Sequence, residues 1–188
     1  KIANDESIKN KKSDSNLKIK HTEFYRSLKI KNSKNKYSKN SSNYVFIVGM
    51  PRSGSTLLEN ILSLKTEVTD MGEVNFLEES IKEAKDFEDV YDLYEKKVIN
   101  QFQSSIIYTD KSLFNYMYCA VISKFFPRAK IINCIRNPLD NILSIYRANF
   151  LKQSFSFSLT DISSLYVHYF ETMEAVSYTH LTLPTNDV

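Results

Sequence analysis

The chain has 188 residues, 42% apolar and 13% aromatic without a Trp, which suits one domain with a real core. Its net charge of +3 is uneven: residues 1–44 carry 12 Lys/Arg against 4 Asp/Glu, and the rest carries 13 against 18. Lysines without interleaved aromatics read as a solvated arm, so no nucleic acid is expected as a partner. Cys119 and Cys134 match no metal or redox spacing, and no run has transmembrane length or signal-peptide form. These features predict buried thiols in a soluble, cytoplasmic domain.

In chain order, residues 1–43 read as a basic, Lys/Asn/Ser-rich arm and linker. Within it, residues 17–30 form a short helix or docking segment, and 31–43 is linker. Val45–Val48 is the first strand. Ser53–Leu64 is the first helix, with Leu57, Leu58, Ile61, Leu62 and Leu64 as its packing stripe. A connector leads to Gly72 and Glu73. Helices follow over 74–86 and 88–104, then a short strand at Ile106–Tyr108 that ends at Asp110 and Lys111. Phe114–Phe126 reads as an amphipathic helix stopped by Pro127. Lys130–Ile135 is a nearly continuous apolar strand, as expected of a parallel strand covered on both faces. Arg136 closes it, and Pro138 sits in the first turn of a helix over 139–150. A last helix spans 159–175, capped by Thr160, with Ile162, Leu165, Tyr166, Tyr169, Phe170 and Met173 inward. Strands alternating with helices predict an α/β fold with a parallel sheet. Residues 177–188 continue no pattern and resemble adapter-derived sequence at the end of an environmental read, so they are expected to be a non-native tail.

All three glycines, Gly49, Gly54 and Gly72, fall within two dozen residues. Two frame the segment VFIVGMPRSGST, residues 45–56, which reads as strand, anion-cradling loop and helix. Glycines so concentrated predict positive φ or close backbone approach to a ligand. Each strand delivers a cation at its carboxyl end, where open parallel sheets bind ligands: Arg52, Lys111 and Arg136. Together they describe a pocket for a polyanion. The loop keeps the G-x-x-x-x-G-K-[ST] spacing but has Ser55 where the Walker lysine belongs, and the cation has moved to Arg52. That argues for a phosphate or phosphosulfate and against metal-assisted triphosphate chemistry; no metal site is expected.

The segment VFIVGMPRSGST resembles the 5′-phosphosulfate loop of sulfotransferases that use 3′-phosphoadenosine 5′-phosphosulfate. INCIRNPLDNILSIYRANF is similar to their 3′-phosphate segment, in which an Arg closing a strand and a Ser eight positions later hold that phosphate. The nearest groups are the tyrosylprotein-sulfotransferase-like enzymes and the bacterial sulfotransferases with tetratricopeptide repeats ahead of the catalytic domain. Gly72-Glu73 resembles their Gly-Glu pair, whose Glu is the general base. Asp110, Lys111 and Asn115 resemble a D-K-x-P-x-N pattern, although position 113 is Leu rather than Pro. Ser55 stands where Thr is common. The resemblance spans about residues 44–175. It implies an incomplete, P-loop-like, three-layer α/β/α domain over 44–176, because the family continues with further segments.

By this resemblance the donor contacts are Pro51, Arg52, Ser53, Gly54, Ser55, Thr56, Arg136 and Ser144. The catalytic residues are Glu73 as base, with Lys111 and Arg52 meeting charge on the departing phosphate. Asp110 is the rival base but reads better as a cap or an orienting partner for Lys111. Asn137 and Asp140 organise the start of the helix they precede. His21, His168 and His180 lie outside the motifs. The implied donor is 3′-phosphoadenosine 5′-phosphosulfate, and the implied partner is a hydroxyl-bearing acceptor: peptide tyrosine, sugar or metabolite. Upstream helical repeats fit the full-length protein. The alternatives are a catalytically silent sulfonucleotide-binding module and a P-loop kinase.

Overall fold

A computed structural model describes residues 13–27, 43–126, 128–150 and 153–180. The elements are α1 (Ser15–Ser27), β1 (Asn43–Gly49), α2 (Ser55–Leu62), β2 (Val68–Asp70), α3 (Phe76–Glu83), α4 (Val90–Gln101), β3 (Ile107–Asp110), α5 (Cys119–Phe125), β4 (Lys130–Cys134), α6 (Pro138–Ala148) and α7 (Leu159–His180). Short 3-10 turns precede α4, α5 and α7, at Phe87–Asp89, Leu113–Tyr118 and Ser154–Phe157. The linker expected over 31–43, Pro127 and the last eight tail residues lie outside the described residues, apart from Asn43, which opens β1. No helix among the described residues is long and apolar enough to cross a membrane.

The sheet is parallel throughout, with strand order β2-β3-β1-β4. All four carboxyl ends therefore open on one rim. Along it stand, in turn, the turn at Gly72-Glu73, Lys111, the loop 50–54 and Arg136. Successive β1 side chains point to opposite faces. Tyr44, Phe46 and Val48 enter a core built largely of aromatic rings. Tyr44 meets Tyr94 edge-on at 5.0 Å, and Phe46 meets Phe126 at 5.4 Å. α1 joins this core through Tyr25, whose ring lies 4.8 Å from that of Tyr118. Its start is fastened to the far end of the chain, because Asp14 accepts from Ser154 Oγ (2.9 Å) and the Phe155 N–H (2.8 Å).

Several expectations need correction. A fourth strand, β2, occupies the connector before Gly72; three residues are too few to show alternation. The first helix begins at Ser55, and its buried residues are Ser55 and Glu59, whereas Leu57, Ile61 and Leu64 are exposed. β4 is half-exposed rather than covered on both faces, because it is an edge strand among the described residues. The segment expected as one helix from Phe114 is a 3-10 turn followed by α5. α7 starts at Leu159, with Ser158 Oγ rather than Thr160 accepting from the Asp161 N–H, and Phe170 is exposed. The helix continues to His180, into the segment expected to break the pattern.

Candidate functional site

β1 ends in a loop whose shape depends on its glycines. Gly49 has φ +151°, and a Cβ there would lie 2.7 Å from the Cys134 carbonyl oxygen of the neighbouring strand. No larger residue fits without separating β1 from β4. Arg52 adopts φ +68°, a left-handed conformation that a non-glycine residue rarely takes. Such strain persists where the surroundings enforce it, commonly at ligand sites. The enforcing contacts are visible. Asn141 Nδ2 donates to the Pro51 carbonyl at 2.8 Å, and Arg136 Nη1 donates to the Arg52 carbonyl at 3.2 Å. Gly54 precedes α2, and no side chain caps that helix. Its first N–H groups have no side-chain partner among the described residues, a setting that suits an anion.

The two arginines belong to one cluster. Arg52 Nε donates to Ser144 Oγ on α6 at 3.2 Å, while Arg136 reaches the Arg52 backbone. Arg136 is itself held by Tyr166, whose hydroxyl donates to its carbonyl at 3.2 Å. Asn137 caps α6 by accepting from the N–H groups of Leu139 and Asp140, and Pro138 follows it as the first helical residue. Both guanidinium groups stay exposed.

At the other end of the rim the charges are buried. Lys111 is 6% exposed. Its Nζ lies 3.1 Å from Glu73 Oε1 and 3.6 Å from Glu59 Oε2. The Glu73 side chain is 71% exposed. The backbone ties these residues together, since the Lys111 N–H donates to the Gly72 carbonyl at 2.9 Å. Burial raises the Glu59 carboxyl above its ordinary value, and Lys111 works against that rise.

Asp110 does not contact the Lys111 ammonium. It accepts from Tyr94 Oη (2.9 Å), the Ser112 N–H (2.9 Å) and Asn115 Nδ2 (3.1 Å), and so holds the turn after β3. Complete burial lifts its carboxyl to about 7 despite these three donors. Burial likewise pushes the Cys119 thiol up to about 12 and raises that of Cys134; both are free thiols.

A cleft of about 1460 Å³ opens over this rim. Among its lining residues are Pro51 to Thr56, Glu73 and Arg136. Lys111 and Ser144 do not line it but are bonded to Glu73 and Arg52, which do. The structure thus gathers every expected site residue along one edge. It also adds contributors that the sequence hid. Glu59 looked like part of an apolar helix, and its one signal was a carboxylate within LLENIL. Asn141 supports the loop from α6, four residues after the cap. Leu17, Lys18 and His21 of α1, expected to be peripheral, line the cleft.

A family model described as "Sulfotransferase family" matches residues 44–106 and 84–185. A protein of Aquifex aeolicus (strain VF5), described as uncharacterized, is 29% identical over 129 residues. That similarity covers 56% of this chain and 17% of the relative's length, so the chain spans a small part of it.

Proposed function

The chain belongs to the sulfotransferase family, and from that premise we propose that its cleft binds 3′-phosphoadenosine 5′-phosphosulfate and passes the sulfuryl group to an acceptor hydroxyl. One observation carries the reading. Two exposed arginines stand at adjacent strand ends, and the Arg136 guanidinium donates to the Arg52 backbone carbonyl within a glycine loop that lacks the Walker lysine. A nucleotide with phosphates at both 3′ and 5′ positions needs two such cationic sites on one rim.

The residues present fit that donor. Among the described residues, Ser53 Oγ is buried without a hydrogen-bond partner and the start of α2 has no side-chain cap. These groups and Thr56 suit the 5′-phosphosulfate. Arg136 suits the 3′-phosphate through its planar fork. Arg52, by donating to Ser144, joins the two ends.

Transfer breaks the bond between sulfur and the bridging oxygen of the 5′-phosphate and forms one to the acceptor oxygen. Glu73 takes the acceptor's proton; its exposed carboxylate can swing from Lys111 to a hydroxyl in the cleft. Lys111 and Arg52 meet the negative charge left on the departing phosphate. The products are a sulfate ester and the 3′,5′-bisphosphate. Peptide tyrosine, a sugar and a small metabolite are the acceptor classes to screen.

The test pairs calorimetric titration of 3′-phosphoadenosine 5′-phosphate with a donor-consumption assay on wild type and Glu73→Gln. Binding in both proteins, with turnover in wild type cut about 100-fold or more by the variant, is the expected result. Binding without turnover in either protein marks a silent module. Magnesium-dependent preference for ATP would replace the reading with a kinase.

A further inference from the structure

Glu59 has no part in the chemistry above, yet it is 4% exposed and stands between the loop helix and the catalytic turn. Its two oxygens do different things. Oε1 accepts from the Gly72 N–H at 3.2 Å and from Thr109 Oγ1 at 3.3 Å. Oε2 faces Lys111 Nζ at 3.6 Å. One side chain on α2 thereby joins the end of β3, the turn that carries Glu73, and the ammonium.

Lys111 has two carboxylate partners in very different surroundings. The Glu73 side chain is 71% exposed and that of Glu59 is 5% exposed. Water screens the first pair, whereas the second interacts through protein and is held by two further hydrogen bonds. Losing Glu73 from the ammonium is therefore a small change, and losing Glu59 is a large one. We propose that Glu59 is a positioning residue for sulfuryl transfer. It holds Lys111 aimed at the departing phosphate while Glu73 releases the ammonium to take the acceptor's proton. This rests on the reading of the site as a transferase.

Glu59→Gln isolates the charge, because its carbonyl oxygen keeps the bonds to Gly72 and Thr109 and its amide faces Lys111. We expect kcat to fall about 100-fold, as for a misplaced catalytic group, with the donor KM within about threefold. Glu59→Asp, which retains the charge, recovers part of kcat. Adding Glu59→Gln to Lys111→Met costs nothing further, as coupled residues require.

A second measurement does not depend on turnover. The rate at which an amine-acylating reagent modifies Lys111, read by peptide mass spectrometry, rises roughly tenfold in Glu59→Gln and less than twofold in Glu73→Gln. Wild-type kcat together with wild-type acylation in Glu59→Gln overturns the proposal. So does a collapse of thermal stability that removes bisphosphate binding along with kcat. If wild type transfers no sulfuryl group, the transferase reading fails, while the acylation ratio still decides whether Glu59 holds Lys111.

Discussion

At the β1–β4 end of the rim the charges stand in solvent. Arg52 and Arg136 are exposed and bonded to a hydroxyl and a backbone carbonyl, and no carboxylate among the described residues pairs with them. At the β2–β3 end the charges other than Glu73 are inside. Lys111, Glu59 and Asp110 are 6%, 4% and 0% exposed, and each is committed to protein partners. The first arrangement keeps cations available to a ligand that brings its own negative charge. The second preorganises a cation in a dry setting, where it acts strongly on developing charge but where removing a partner is severe. On the proposed reading Arg52 serves both binding and chemistry, Arg136 serves binding and Lys111 serves chemistry, so substitutions at the two ends should fail differently.

The largest expected effect is at the buried end. Lys111→Met strands Glu59 without its cation and should cost about 3–5 kcal/mol of stability, together with most turnover. Urea denaturation alongside the donor-consumption assay reads both. A variant that loses turnover yet keeps full stability would break the comparison.

Next is the pH dependence of Asp110. Its folded value of about 7 lies above the ordinary 3.8, so the native state holds the proton more tightly than the unfolded chain. The associated stability is complete below about pH 4, declines as pH rises through 7, and is constant above. Between pH 4.5 and pH 8 wild type should lose on the order of 3 kcal/mol relative to Asp110→Asn. Denaturant midpoints for both proteins at pH 4.5 and pH 8 check this.

Arg136→Ala should act on binding alone. Loss of a charge-assisted contact weakens bisphosphate affinity roughly 10- to 100-fold, and the exposed position leaves the melting temperature near that of wild type. Calorimetry and a thermal melt decide it. The smallest effect belongs to Ser144→Ala, which frees the Arg52 guanidinium from one exposed hydrogen bond to a hydroxyl. Donor affinity should fall by no more than about tenfold.

The exposed end of the rim was readable without coordinates. The glycine spacing, Arg52, Arg136 and Ser144 stand in two short segments, because a strand, its anion loop and the following helix form one local unit. The buried end was only half readable. Glu73 and Lys111 stood out beside a glycine and a strand end, but Glu59 did not, since an apolar stripe over LLENIL predicted that Leu57 and Ile61 would face inward. The helix turned the other way because a buried ammonium and the Gly72 N–H needed a carboxylate. β2 was missed for a related reason, since three residues become a strand only when β3 supplies their hydrogen bonds.

Local periodicity, glycine placement and strand-end cations therefore determined by themselves the parallel α/β class and the three cations Arg52, Lys111 and Arg136 along the rim, while Glu73 and Ser144 came from the family resemblance. These features depend on backbone geometry within a few residues. Which helix face turned inward and which carboxylate held the lysine were decided by pairings 38 to 52 residues apart, Glu73 and Glu59 with Lys111, and which strand lay at the edge by the strand order of the sheet. Burial of charge rewards those pairings only after the sheet has brought its strand ends together.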